Sequence, residues 1–207
     1  MLADDGVYLY RASSLGVRYV EHVPWEDENF VSTVSDLIVK KCAKKPVIIV
    51  NDMVEQHYRK EKIPKVSPMD RASVVKRRLN ITFPNYPIRA ALKTKEQDKS
   101  AGVGGIYLFA AIPQSEAYKK AIQAVQRSAA PIVGLFLLPI EGITMVSALS
   151  QKQAKKAKTR SMWTVFIGQH HGGGLRQIVT KRGDLALTRM TPVVDTDVEP
   201  DVWAKEV

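Results

Sequence analysis

The chain has 207 residues, 45% hydrophobic and 25% charged, which is the balance of an ordinary globular protein with room for one large domain or two small lobes. A single cysteine, Cys42, excludes an internal disulfide framework and suits a reducing compartment. The net charge of +10 favours nucleic acid, an anionic membrane surface or an acidic protein as partner.

Residues 6–25 read as two or three strands, with Val17 and Tyr19 alternating against Arg18 and Val20. Their centre is a hairpin, Val7 to Tyr10 and Val17 to Val20, around a Ser-Ser-Leu-Gly turn. Glu26 to Cys42 reads as a helix, with Phe30, Val34, Leu37 and Ile38 at helical spacing, acids at its start and lysines at its end. Pro46 to Val50 is a continuous apolar run, expected as a central, fully buried strand. A weaker strand follows within Met53 to Lys62. Ser67-Pro68-Met69-Asp70 is a helix start, with Ser as N-cap and Pro at the first helical position. That helix runs to about Asn80, with Val74, Val75 and Leu79 on its apolar face.

Ile88 to Lys93 is read as a strand leading into a polar loop, Thr94 to Gly105. Ile106 to Ile112 is a second buried strand, and a helix follows from Pro113 through Arg127. Ile132 to Leu138 is a third apolar strand, Gly142 to Ser150 a helix, and Gln151 to Arg160 a basic linker. A second hairpin follows, Trp163 to Gly168 and Leu175 to Val179, around His170-His171-Gly172-Gly173-Gly174. Gly183-Asp184 turns into a strand at Leu185 to Thr188, and Asp195 to Val207 begins a last helix carrying Trp203. The longest apolar run, Pro131 to Leu138, is stopped by Pro139 and Glu141, short of the roughly 20 residues a spanning helix needs. No stretch at the start has the order of a secretory signal. The chain as given reads as soluble, or as the cytosolic part of a longer membrane protein. Strands alternating with helices, with some strand pairs as hairpins, predict α/β layers on a mixed sheet.

This order of motifs resembles the actin-like cytoplasmic proteins of type IV pilus and type II secretion machines, the PilM-, GspL- and BfpC-like assembly factors. Three segments carry the resemblance: Pro46 to Asp52 with the helix from Ser67; Ile106 to Arg127 running on to Ala130–Glu141; and the hairpin series from Trp163 to Leu187. It implies actin-like, RNase-H-type layers, with a first lobe at 1–95 and a second at 96–207. In ATP-binding members each hairpin carries an Asp. Matching the strands puts Arg11 and Ser13 at the first Asp and Gly, and Phe166 at the second Asp. Without those carboxylates no Mg²⁺ site is expected, because Mg²⁺ wants hard oxygen ligands. The cleft is expected to be reduced, with no cofactor and no catalysis.

The other motifs yield plainer readings. Adjacent His170 and His171 cannot both point easily at one ion, and no Cys or carboxylate lies near them in sequence, so the glycines read as a tight turn. Gly102-Val103-Gly104-Gly105 precedes a strand, which fails the context of a phosphate loop and reads as a flexible loop. Arg71, Lys76, Arg77 and Arg78 lie on one helix and are the candidate contact for anionic lipid or an acidic partner. Nucleic acid is not expected, since no recognised module accompanies the charge.

The resemblance implies a non-catalytic scaffold of the type IV pilus inner-membrane platform, on the cytoplasmic side of the bacterial inner membrane and within a longer membrane protein. Its partners would be the secretion ATPase and platform proteins. The alternatives are an actin-like ATP-binding protein with a displaced site, with its pocket near Arg11, Ser13 and Gly168, and a nucleic-acid-binding protein of RNase-H-like fold. A nuclease would need carboxylates converging on the sheet, and the predicted strands carry almost none.

Overall fold

The computed structural model describes residues 1–42, 45–157, 162–171 and 173–191. Two compact units emerge among the described residues: those of 1–54, 117–181 and 185–191, and those of 55–116 with 182–184. The division expected at residue 95 falls inside the second unit, where it would cut between two antiparallel partners of one sheet.

The first unit is built on a five-stranded sheet in the order β3-β2-β1-β4-β8. The strands are β1 (Leu2–Ala3), β2 (Gly6–Ser13), β3 (Gly16–Pro24), β4 (Val47–Asn51) and β8 (Ile132–Leu137). β1 to β3 form an antiparallel meander, while β4 runs parallel to both β1 and β8. Helices α1 (Phe30–Cys42) and α3 (Glu116–Arg127) supply the apolar cover: Phe30, Val34 and Ile38 of α1 and Ala121, Ala124 and Val125 of α3 cluster with Leu2, Val7, Leu9 and Ile49. The β-β-β-α-β order, resumed by α3 and β8, is the mixed α/β layering expected of RNase-H-type units.

The apolar run at Pro46 to Val50 does become an inner strand of the sheet, but it is not fully buried. Ile49 is buried and Ile48 is 57% exposed. The reason is alternation along the strand: Val47 and Ile49 point to the face that α1 and α3 cover, and Ile48 points to the other face. Helix α1 also starts later than expected, because Asp27 accepts the Asn29 N–H at 2.7 Å in a turn ahead of Phe30.

The same unit holds a three-stranded sheet, β11-β10-β9, made of β9 (Trp163–Gln169), β10 (Leu175–Lys181) and β11 (Asp184–Thr191). Helix α4 (Leu138–Ala157) packs on it. A Cβ on Gly142 would lie 2.8 Å from Ile178 Cδ1, so glycine allows the close approach that buries Val146 and Ile178. The basic segment from Gln151 therefore continues a helix to Ala157 instead of forming a linker. Ala, Lys and Gln are good helix formers, and a run of charge does not break a helix.

The second unit is an antiparallel sheet, β5-β7-β6, of β5 (His57–Pro64), β6 (Ile88–Lys93) and β7 (Val103–Ile112). Helix α2 (Pro68–Thr82) covers it through Leu79, Val74 and Val75, against Ile63, Phe83 and Phe109. Ser67 caps α2, its Oγ accepting the Asp70 N–H at 3.2 Å, with Pro68 as first helical residue. Val103 to Gly105 belong to β7 and not to a loop. A Cβ on Gly104 would sit 2.7 Å from the Pro64 carbonyl, and glycine permits that approach. The last predicted helix, from Asp195, and Trp203 with it, lie outside the described residues.

Candidate functional site

Strand directions decide where chemistry can gather. β1 and β4 are parallel neighbours, so the chain leaves both at the same end of the sheet. In open α/β sheets that carboxyl end is where ligands bind. Leaving β1 is Asp4-Asp5-Gly6, and leaving β4 is Asp52. The β9–β10 turn brings His170 and His171 to the same place, and Arg176 follows on β10.

Asp52 is the centre. Its side chain is 3% exposed and that of Arg176 is 5% exposed. Arg176 Nε donates to Asp52 Oδ1 at 2.9 Å, and Arg176 Nη2 donates to the Asp52 carbonyl at 2.9 Å and to the Met53 carbonyl at 3.3 Å. His170 Nε2 donates to the Asp52 carbonyl at 2.8 Å and lies 3.4 Å from Asp52 Oδ2 and 3.7 Å from Asp4 Oδ2. Burial raises the Asp52 carboxyl above its usual range, and Arg176 and His170 offset part of that rise. Asp4 is the more open carboxylate, and both its oxygens accept the Val54 N–H at 3.1 Å.

An aromatic wall stands beside these acids. The Tyr8 ring stacks between His22 and His171, each at 4.2 Å between centroids. Its hydroxyl donates to Asp5 Oδ2 at 2.6 Å. Burial first, and the Asp5 carboxylate second, push the Tyr8 phenol well above its ordinary range, so it stays protonated as a donor. Tyr10 Oη and His171 Nε2 are 2.8 Å apart. The turn itself closes through His170 N–H to the Gly174 carbonyl at 3.0 Å and Gly173 N–H to the His170 carbonyl at 3.1 Å. Gly173 and Gly174 have φ of 85° and 86°, a left-handed backbone that glycine takes without strain.

This arrangement corrects several sequence readings. The first turn of the sheet is Asp4-Asp5-Gly6, so its carboxylates are present. Arg11 and Ser13 lie along β2, paired with Arg18 and Gly16 of β3, and Phe166 lies inside β9 opposite Ile178. Arg11 and Ser13 thus belong to the β2–β3 hairpin, while the turn ahead of it follows a two-residue β1, which leaves almost no periodic signal. Carboxylates also do converge at the sheet end, and His170 does have acids beside it, contributed from far along the chain. The signal available was positional: Asn51-Asp52 directly after an apolar run, and Asp-Asp-Gly ahead of an alternating one. Among the described residues no group of three or more His, Cys, Asp or Glu is arranged to hold a metal ion.

The basic helix lies in the second unit. Lys76 and Arg77 are exposed, Arg71 is half-buried, and Arg78 Nε donates to the buried Glu61 at 2.9 Å. Arg59 Nε meets the other oxygen of Glu61 at 2.8 Å. At helical spacing Arg71 and Arg78 share one side, while Lys76 and Arg77 project elsewhere, so the four do not form one patch.

No family model matches the sequence, and no curated protein does. Solved structures do. A chain of a PilM–PilN type IV pilus biogenesis complex superposes with a TM-score of 0.65 over 95% of this chain, at 11% identity. The fold is similar to that of this pilus-complex chain. The present sequence spans 61% of the pilus-complex chain's length. A chain from Bacteroides thetaiotaomicron, described as having an actin-like ATPase fold and unknown function, is more distant. It gives a TM-score of 0.44 at 9% identity, covering 95% of this chain and 69% of that one, too remote to support a conclusion. No described helix is long and apolar enough to cross a membrane.

Proposed function

We propose that this chain is a non-catalytic scaffold in type IV pilus assembly, working at the cytoplasmic face of the bacterial inner membrane as part of a longer protein. It links the cytoplasmic secretion ATPase to inner-membrane platform proteins. The observation that carries the reading is the state of Asp52. The one fully buried acid at the sheet's carboxyl end is held by an Arg176 fork and by His170, so it is a structural group and not a vacant ligand. The likeness to a pilus-complex chain supplies the biological setting. Lys76 and Arg77 are the outward charges for an anionic headgroup, each worth roughly 1 kcal/mol near such a surface.

The test is co-purification of the chain with the secretion ATPase and platform proteins of its own cells, alongside calorimetric titration with Mg²⁺ and ATP. Capture of the ATPase without ATP heat is the expected result. An ATP-binding reading has one observation in its favour, the Asp4-Asp5-Gly6 turn beside the glycine turn at 173–174. Micromolar, Mg²⁺-dependent binding would put that reading first.

A further inference from the structure

The three-stranded sheet β11-β10-β9 has one covered face and one open face. Alternation along the strands decides which side chains go where. Thr164 Oγ1 donates to Ser150 Oγ of α4 at 3.0 Å, and Ile178 of β10 lies against Gly142 of α4, so these residues mark the covered side. Trp163, Val165 and Ile167 point the other way and are 50%, 58% and 56% exposed. Across the ladder they stand opposite Lys181, Val179 and Gln177 of β10. Lys181 Nζ sits 4.8 Å from the Trp163 ring centroid, so the apolar row has a cationic end. Large apolar side chains in a row on one face mark a surface built to be covered.

We propose that residues 192–207 of this same chain cover the open face, with Trp203 as the anchor against Val165 and Ile167. The first sheet has the same plan: the meander β1-β2-β3 is followed by α1, which covers it.

Connectivity, pattern, length and charge favour this occupant over a separate molecule. β11 ends at Thr191, whose Oγ1 accepts from Gln177 Nε2 at 3.1 Å. Gln177 belongs to the open face, so the segment starts at the rim of that face. Glu199-Pro200 is a helix start in the sequence, and from it Pro200, Trp203, Ala204 and Val207 fall at i, i+3, i+4 and i+7, one apolar stripe. Val198, just ahead of the start, has Trp203 at the spacing of a hydrophobic staple. A helix over 199–207 measures roughly 13 Å. The row from Trp163 to Ile167 measures roughly 13 Å as well. Residues 192–207 carry five acids and one lysine in a chain of net charge +10. The open face offers Lys181, and Arg189 is exposed on the same sheet.

Thiol alkylation of the full chain, with Cys42→Ser as background, tests this. Val165→Cys reports on the open face, and Met145→Cys, at an exposed position of α4, is the control. Position 165 should react at least tenfold more slowly with the native segment than in the same chain carrying Trp203→Asp and Val207→Asp. Position 145 should react alike in both, which shows that the substituted chain is still folded. Dilution should leave the ratio unchanged, because the cover lies within one chain. A second measurement needs no disruptive change: Val165→Cys with Ala204→Cys should be joined within one chain by a short bismaleimide. Equal rates at position 165 would overturn the proposal. So would protection that fades on dilution, or links formed only between chains, either of which makes a second copy the cover.

Discussion

Replacing Arg176 with Met tests whether the acid at the sheet end is a structural group. Arg176 makes the three contacts to Asp52 and Met53 described above, and both partners are almost wholly buried. Removing the guanidinium leaves a buried carboxylate with only His170 beside it. Breaking one side of a buried pair costs about 3–5 kcal/mol. Arg176→Met should therefore lower stability by that amount near neutral pH. The loss should shrink in acid. The carboxyl sits above its unfolded value even with Arg176 present, and without the guanidinium it rises further. The native state then binds the extra proton, so the deficit is smallest at low pH and grows as pH climbs through the raised value. Asp52→Asn with Arg176→Met removes both charges and should recover about 2 kcal/mol of the deficit. Urea unfolding followed by tryptophan fluorescence is the assay, since Trp25 and Trp163 both lie in the first unit. A loss under about 1 kcal/mol for the single variant, or no recovery in the double, would refute the reasoning.

Three more outcomes are expected. Gly6→Ala places a Cβ 2.4 Å from the Val23 carbonyl and 2.8 Å from Pro24 Cα, and should cost about 1–3 kcal/mol by the same unfolding assay. Charge removal on α2 should separate two roles. Arg78→Ala should destabilise the second unit by exposing Glu61 to loss of a partner, read as faster amide exchange in β5. Lys76→Glu with Arg77→Glu should leave exchange unchanged and weaken sedimentation with phosphatidylserine vesicles. The Met1 α-amine, about 6 in the fold against 8.0 unfolded, loses its proton on folding, so its contribution is present above pH 8 and lost as pH falls through 6. The difference of about 2 units is worth roughly 3 kcal/mol, and acetylating Met1 should flatten the urea midpoint across that window.

Elements with a local cause were legible in the sequence. Helix α2 announces itself because Ser67, Pro68 and Asp70 act within one turn, and the structure shows that cap. β6 needs only its own run, Ile88 to Lys93. α4 was half seen. Its start lies at Leu138-Pro139, where proline at the first turn and Glu141 behind it are a start signal, but the apolar run ahead of them reads as strand up to the same residue. Its lysine-rich end reads as a linker by charge alone, yet it continues the helix to Ala157. Strand β1 was missed altogether: two residues have no period, and Leu2–Ala3 is a strand only because β2 and β4 flank it.

The candidate site was hidden for a different reason. Its members share no local pattern, since Asp4, Asp52 and Arg176 meet only after two hairpins and a parallel crossover have been placed. Once β1 and β4 are known to be parallel neighbours, the acids at their ends are forced together, and a countercharge must arrive or the acids must neutralise. Arg176 is that countercharge, delivered by the turn that the sequence shows only as a run of glycines. The same logic governs α2. A count of basic residues predicts a patch, but the buried Glu61 takes Arg78 and Arg59, and helical spacing turns Lys76 and Arg77 apart. In both places the buried acid, which sequence reading passed over, decides where the visible cations go. It follows that the outward charge of a basic protein is best counted after its buried carboxylates have been assigned their partners; here Arg78 is taken, Arg71 is half-buried, and Lys76 and Arg77 are the exposed cations of the helix to test.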